Sequence, residues 1–206
     1  MLRVAILSGI LCLSSLASAE RLIFIPTAKR LADFETRAEI LIEGLSLANR
    51  QNWVSAGFGG RFEVELYNEK LRNGLSERSS FNFSMNLLPA LTDFGAGFAV
   101  GILDAANQTS AGRGVYGVFT LRSGNYEDQN AKSSTDLSLG FGTYPRFKGV
   151  FIGLRHPFTD YLKRLAEYDS RQTAFGFEVI PTRGMTLKWV AQEKQTFVGL
   201  SYSLRF

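Results

Sequence analysis

Cysteine and histidine are almost absent from this chain: Cys12 is the only cysteine and His156 the only histidine. Cys12 falls in an N-terminal stretch with the features of an export signal, so the predicted mature chain has no disulfide, thiolate metal site or catalytic thiol. Metal sites and nucleophilic active sites need several converging groups. We therefore expect no catalytic, cofactor-binding or metal-binding residue and no enzymatic activity. An enzyme that pairs His156 with a loop carboxylate such as Asp160 is the alternative.

Long apolar runs are also lacking after the first residues. Arg3 is followed by a mostly apolar stretch from Val4 to Leu16 and then by the small residues Ala17-Ser18-Ala19. This order is typical of a signal peptide, and the stretch is too short for a membrane-spanning helix. We predict that residues 1–19 are removed and that the mature chain begins at Glu20. If the mature chain is an integral membrane protein, it must be a β-barrel.

Neither sign of charge dominates. The chain has 23 Lys and Arg against 19 Asp and Glu, and loss of Arg3 leaves a net charge of +3. This charge is too small and too scattered to favour nucleic acid as a partner. The chain has 17 Phe and 20 Gly but only 5 Pro, and its apolar and polar residues are finely mixed, as in transmembrane barrels.

Alternation with a period of two is the main structural signal. Phe81, Phe83, Met85 and Leu87 alternate with polar residues, which is typical of a strand with one apolar face. Similar segments recur along the chain and predict an all-β, antiparallel transmembrane β-barrel of about 12 strands over residues 34–206. The predicted strands are Glu35–Leu47, Asn52–Gly59, Arg61–Tyr67, Ser79–Leu88, Gly95–Ala105, Gly114–Ser123, Asp136–Gly142, Lys148–His156, Leu162–Tyr168, Gln172–Val179, Gly184–Ala191 and Gln195–Phe206.

Alternation does not fix which face points inward. In a membrane barrel the polar faces line the lumen, whereas in a soluble periplasmic lipid-binding barrel the apolar faces do. On the membrane interpretation, opposite charges pair across a narrow or packed interior. The predicted lumen-lining residues are Arg37, Glu39, Glu43, Arg61, Glu63, Glu65, Arg155, Glu178, Lys188 and Arg205.

Aromatic residues near strand ends favour an interfacial girdle, with packing in a soluble core as the alternative. They are Trp53, Trp189, Tyr67, Tyr116, Tyr144, Tyr168 and Tyr202. Tyr202, Leu204 and the C-terminal Phe206 share one face, which resembles the signal by which the barrel-assembly machinery recognises its clients. We therefore expect that machinery and outer-membrane lipid as partners.

Residues 20–33 show no clean alternation. We expect this segment either to plug the barrel, led by Leu22, Ile23, Phe24 and Ile25, or to form a disordered periplasmic tail.

Two short motifs carry a resemblance to a known family. Ile25-Pro26-Thr27-Ala28 before a strand with Arg37, and Pro89-Ala90 followed by Gly97 to Asp104, resemble YjbH-like outer-membrane proteins. Residues Leu137–Gly142 and Gly149–Leu154 look like further strands of that family. The resemblance implies a barrel in the bacterial outer membrane, associated with exopolysaccharide production and with polysaccharide-secretion proteins as partners. This chain is much shorter than full-length members, so it resembles a barrel-only relative.

The sequence thus predicts a non-enzymatic outer-membrane β-barrel that assists surface polysaccharide secretion. A narrow porin for small solutes and a soluble periplasmic lipid binder are the alternatives.

Overall fold

The computed structural model describes residues 21–29, 31–46, 49–70, 77–88, 94–109, 112–123 and 134–206. The predicted signal peptide lies outside the described residues, as do the turn residues Arg72–Gly74 and Gly124–Lys132. In the part described, no helix is long and apolar enough to cross a membrane. A 3-10 turn at Pro145–Phe147 is the helical element there.

Twelve antiparallel strands form one closed barrel in which every strand pairs with its sequence neighbours. They are β1 Glu35–Glu43, β2 Arg50–Phe58, β3 Phe62–Lys70, β4 Glu77–Leu88, β5 Phe94–Leu103, β6 Gly114–Ser123, β7 Thr135–Gly142, β8 Gly149–Pro157, β9 Leu162–Tyr168, β10 Thr173–Thr182, β11 Met185–Gln192 and β12 Gln195–Arg205. Pairing of β1 with β12, from Glu35 opposite Arg205 to Glu43 opposite Phe197, closes the barrel and leaves no free edge. The predicted fold class and strand number are confirmed.

Strand ends differ from prediction where the backbone turns. β1 stops at Glu43 rather than Leu47, because Gly44 and Leu45 have φ of 57° and 59°, in the left-handed region. β2 then begins at Arg50, two residues earlier than expected.

The apolar faces point outward. Leu66, Phe141 and Phe175 are about 60% exposed (61%, 60% and 59%), while alternate residues on the same strands face the lumen. A soluble lipid-binding barrel needs the opposite orientation, so that alternative is wrong. A polar interior inside an apolar outer surface is the arrangement of a membrane-spanning barrel.

Two inward-facing residues break the alternation in sequence. Phe197 and Val190 sit on otherwise polar faces and are buried, and they contribute to an interior apolar cluster that also contains Phe24 from the N-terminal segment. The interior is therefore packed rather than an empty channel.

Candidate functional site: a lumen occupied by the N-terminal segment

The barrel has two ends that organise the site. We call the end with Glu35 and Arg205 the terminal end, and the end with Glu43 and Gln195 the far end. Residues 21–29 and 31–33, here called the lumen segment, precede β1, and most of them are buried inside the barrel. Leu22, Ile23, Phe24 and Ile25 are buried there, with Ile25 fully inaccessible to solvent.

Small wall residues make room for the lumen segment. A Cβ atom placed on Gly153 would lie 2.4 Å from the Leu22 side chain and 2.6 Å from that of Ile25. A Cβ on Gly57 would lie 2.7 Å from the Ala32 carbonyl oxygen and 2.8 Å from Leu31. These glycines therefore form the wall against which the segment packs.

The backbone of the segment is held by wall side chains. Glu167 on β9 accepts hydrogen bonds from the N–H groups of Ile23, at 2.9 Å, and Phe24, at 3.0 Å. Thr120 on β6 accepts one from the Ala28 N–H at 2.9 Å. These bonds satisfy donors that would otherwise be buried without partners.

Arg21 joins the segment to the opposite wall. Its guanidinium donates to Glu65 and lies 4.9 Å from the centre of the Trp53 ring. Glu65 also accepts from Ser55 and Asn82. The carboxylate therefore has several donors, which a buried charge requires.

Lys29 forms the second ionic contact of the segment, with Asp136 on β7. Asp136 also accepts from Arg122 Nε at 3.0 Å. Closer to β1, Asp33 accepts from the Gly60 N–H and Glu35 accepts from the Ala32 N–H. Ionic contacts thus hold the lumen segment at two points on different walls.

Other charged pairs join the walls to one another. Arg155 pairs with Glu178, and Lys188 Nζ donates to Glu39 at 3.1 Å while also reaching the Arg21 carbonyl oxygen. The structure places six of the predicted lumen-lining residues in buried interior positions. They are Arg37, Glu39, Glu65, Arg155, Glu178 and Lys188.

The other four predicted lumen residues differ in depth. Glu63 faces an interior cavity, and Glu43 lines the mouth at the far end. Arg61 and Arg205 are exposed at the rim of the terminal end rather than in the lumen. Arg61 belongs to the turn before β3, and Arg205 is the last residue of β12.

Buried carboxylates outnumber buried cations in the barrel and its loops. Among the described residues, eight carboxylates and four cations are buried, and the partly buried Arg122 and Arg146 also face the interior. The lumen segment brings Arg21 and Lys29 against two of these carboxylates. The wall and the segment are therefore electrostatically complementary.

A cleft opens above the segment towards the far end. It encloses about 670 Å³ of space, part of it open to solvent, and its lining includes Trp53, Tyr67, Tyr144, Arg146 and Phe147. Trp53 stacks on Tyr67 with ring centres 5.5 Å apart. Arg146 lies 3.5 Å over the ring of Phe24, so the lumen segment forms part of the floor.

The prediction that these seven aromatic residues form an interfacial girdle is wrong for four of them. Trp53 is buried inside the barrel, and Tyr67, Tyr116 and Tyr144 pack against the interior cluster. Only Trp189, Tyr168 and Tyr202 of the seven predicted aromatics are exposed on the outer face. Trp53 and Tyr116 lie on β2 and β6, whose alternation was less regular, Tyr67 lies on the polar face of the regular strand β3, and Tyr144 is a loop residue.

Asp104 organises the loop after β5, beside the cleft. Its carboxylate accepts from Ser80, from the Thr109 hydroxyl at 2.6 Å and from the N–H groups of Gln108 and Thr109 at 2.8 Å. Burial alone would raise the pKa of Asp104, but these hydrogen bonds outweigh it and hold the pKa below its ordinary value of 3.8.

The residues considered for catalysis do not converge. His156 is exposed on the outer side of β8, with Nδ1 2.9 Å from the Thr135 hydroxyl, and Asp160 is exposed in the following turn. Within the described ranges, no group of three or more His, Cys, Asp and Glu side chains is placed to hold a metal ion.

The C-terminal residues Tyr202, Leu204 and Phe206 are exposed, at 49%, 47% and 84%. The Phe206 N–H donates to the Phe34 carbonyl oxygen at 3.1 Å. Their role as an assembly signal stays a prediction.

Sequence reasoning did not identify Glu167, Thr120 or Asp136 as ligands of the segment. On β9 the inward residues are Lys163, Leu165 and Glu167, so its inner face mixes charge with an apolar side chain. Nothing in that pattern distinguishes a carboxylate that binds backbone N–H groups from one that faces water.

Comparisons with known proteins support the fold. No protein-family model and no curated protein matches the chain. The KdgM porin, solved in complex with disordered oligogalacturonate, is similar in structure, with a TM-score of 0.52 and 9% identity over 84% of this chain and 99% of that chain. The N-terminal β-barrel domain of Pseudomonas aeruginosa OprF aligns with 84% of this chain and 98% of its own, at 9% identity and a TM-score of 0.28, too low to support any argument. The chain has the closed antiparallel fold of an outer-membrane porin barrel.

Proposed function

We propose that the chain is a non-enzymatic barrel of the bacterial outer membrane whose lumen is closed at rest by its own N-terminal segment. In this proposal it acts as a narrow porin, passing small polar solutes when the segment withdraws. The observation that carries it is the lumen segment itself. Its apolar side chains join the interior cluster, while its backbone and its two charged side chains are bound to polar wall residues by hydrogen bonds and ion pairs. Such contacts exchange with water and ions more readily than a continuous apolar core does.

The outer-membrane location can be tested by fractionation. The protein should sediment with outer membranes and migrate differently on a gel before and after boiling. Release in the soluble periplasmic fraction would contradict the proposal.

The closed lumen can be tested by conductance in planar bilayers. Deletion of residues 20–33 should raise single-channel conductance well above that of the full chain. Replacing the segment with a Gly/Ser sequence of the same length controls for the mere presence of a tail, and it should also conduct. Equal conductance of the full chain and the deletion variant would refute the plug.

The ion selectivity of the opened lumen gives a second readout. Removing Arg21 and Lys29 leaves the excess of buried carboxylates without their counter-charges. The deletion variant should therefore prefer cations in a reversal-potential measurement across a salt gradient. Preference for anions would contradict this electrostatic account.

We propose as a second function that the barrel assists surface polysaccharide secretion. This rests on the YjbH-like resemblance and on the aromatic cleft at the far end, which offers flat surfaces for sugar rings. Deleting the gene should lower the yield of secreted polysaccharide, and a plasmid copy should restore it. An unchanged yield would remove this proposal and leave the porin proposal intact.

A further inference from the structure

The cleft at the far end has the composition of a ligand site rather than of a solvent channel. Aromatic rings form its walls, and a small number of polar groups converge on it, the usual make-up of a small-molecule pocket. The rings of Tyr67 and Tyr144 are partly exposed in the cleft. Buried rings support them: Trp53 stacks on Tyr67 with the ring planes inclined by 28°, and the ring centre of Phe147 lies 5.5 Å from that of Tyr144.

The charges of the lining narrow the ligand class. Arg21 and Arg146 are balanced by Glu69 and Asp104. Arg21 is paired with Glu65, and both oxygens of the Asp104 carboxylate already accept hydrogen bonds, mostly from its own loop. The charges that remain for a ligand are therefore one guanidinium, on Arg146, and one carboxylate, on Glu69, which also accepts a hydrogen bond from the Tyr67 hydroxyl. A polyanion would meet Glu69 and the buried carboxylates, and a cation would meet Arg146.

The polar groups also argue against a purely apolar ligand. Burying Arg146, Glu69 and Gln51 under hydrocarbon would leave most of their donors and acceptors without hydrogen-bond partners, which is costly. Arg146 Nη1 lies 3.5 Å from Gln51 Oε1, which is long for a hydrogen bond, so a ligand hydroxyl can replace this weak contact. A ligand with many hydroxyl groups supplies partners to such atoms.

We propose that this cleft binds neutral saccharides, with a sugar ring against the partly exposed rings of Tyr67 and Tyr144 and sugar hydroxyls bonded to Arg146, Glu69 and Gln51. The C–H faces of a pyranose ring match the electron-rich faces of aromatic rings, while its rim carries donors and acceptors. This inference deepens the proposed function and rests on it, because the lumen segment supplies the floor of the cleft through Phe24.

Tryptophan fluorescence provides the test. The chain has two tryptophans, and Trp189 lies on the outer face. In full-length mature protein carrying Trp189→Phe, Trp53 is the sole reporter. The protein is held in a detergent without a sugar headgroup and titrated with maltohexaose, cellohexaose and hexagalacturonate. A neutral oligosaccharide should give a saturable signal that salt does not weaken.

Variants then assign the binding to the cleft. Tyr67→Ala and Arg146→Gln should each weaken binding by about tenfold, while Tyr168→Ala on the outer face should leave it unchanged. Tyr67→Phe, which keeps the ring, covers the case in which Tyr67→Ala does not fold, and it should bind with little loss. Heat-modifiable migration verifies folding for every variant.

Three outcomes would overturn the inference: no saturable signal with either neutral sugar, binding that is equal in Tyr67→Ala, or binding of hexagalacturonate alone. Each is distinguishable from failure of the proposed function, which is decided by fractionation and by the conductance of the deletion variant.

Discussion

Glu167 is the wall residue whose substitution tests the closed lumen most directly. One carboxylate accepts the N–H groups of both Ile23 and Phe24 at about 3 Å (2.9 and 3.0 Å), inside the barrel. Glu167→Gln keeps the shape of the side chain and one acceptor oxygen, but it removes the charge and turns an NH₂ group towards a backbone donor. A hydrogen bond to a charged group contributes roughly 1.5–3 kcal/mol. We expect the variant to lose about 2–3 kcal/mol of segment binding, counting one bond as lost and the other as weakened.

That loss can be converted into a population. Each 1.4 kcal/mol is a tenfold change, so the fraction of molecules with the segment withdrawn should rise about 30- to 150-fold. The predicted mature chain has no cysteine, since Cys12 lies in the signal peptide. Ala28→Cys therefore places the sole thiol at a position that is fully buried against the wall. Its rate of modification by a water-soluble thiol reagent measures withdrawal.

Asp169→Asn is the matched control. Asp169 is equally buried two residues further on, but its hydrogen bonds within the described chain go to Arg171, Gln172 and Gln192, not to the lumen segment. Combined with Ala28→Cys, it should leave the labelling rate unchanged. If Glu167→Gln and Asp169→Asn label alike, the rate reports general loosening of the barrel and the reasoning is refuted.

Three further predictions concern the barrel and its loops. Gly140→Ala should lower the free energy of unfolding by about 1–3 kcal/mol, measured by urea titration, because a Cβ there would lie 2.1 Å from the Phe151 ring. Gly117→Ala, whose Cβ would lie 3.8 Å from the Phe98 ring, should be tolerated, and equal stability of the two variants would contradict this packing. Leu139→Arg, on the outer face of β7, should destabilise the protein in lipid bilayers by about 2–4 kcal/mol, and Leu45→Arg in the loop after β1 should not; a harmless Leu139→Arg would place that face outside the membrane. The pKa of Asp104 is lower in the folded protein than the 3.8 of the unfolded chain, so Asp104 should stabilise its loop above pH 3.8 and lose this effect as the pH falls through the folded pKa. Amide exchange of Gln108 and Thr109 should show the loss, and Asp104→Asn should abolish the pH dependence of that exchange.

The barrel could be predicted from sequence because its rules are local. A strand such as β4 repeats apolar and polar residues with a period of two, and so does its neighbour β3 as far as Leu66. Strand ends were less predictable, since they depend on single backbone conformations such as those at Gly44 and Leu45. Whether the apolar or the polar face points into the barrel could be decided only from the structure, because a soluble barrel and a membrane barrel have the same period of two.

The site was harder to predict for a physical reason. A coil inside a barrel is held by contacts with no sequence period, such as Glu167 to Ile23 and Thr120 to Ala28, which join residues far apart in the chain. The inward aromatics Trp53 and Tyr67 looked like girdle residues, because position near a strand end does not say which face a side chain occupies. Only the register between β2 and β3, which sets Trp53 opposite Tyr67, shows that they share one surface.

Charge balance offers a reason why wall and segment belong together. A polar wall with more buried carboxylates than cations is costly unless counter-charges enter the lumen, since neighbouring carboxylates repel one another there. Arg21 and Lys29 provide such charges from within the chain, eight residues apart, to Glu65 on β3 and Asp136 on β7. Anchors on well-separated strands must both release before the segment can leave, whereas loss of one leaves the other to return it. Withdrawal should therefore be cooperative. A variant that removes both anchors should open the lumen by less than the product of the two single effects, because each single variant already loses the support that one anchor gives the other.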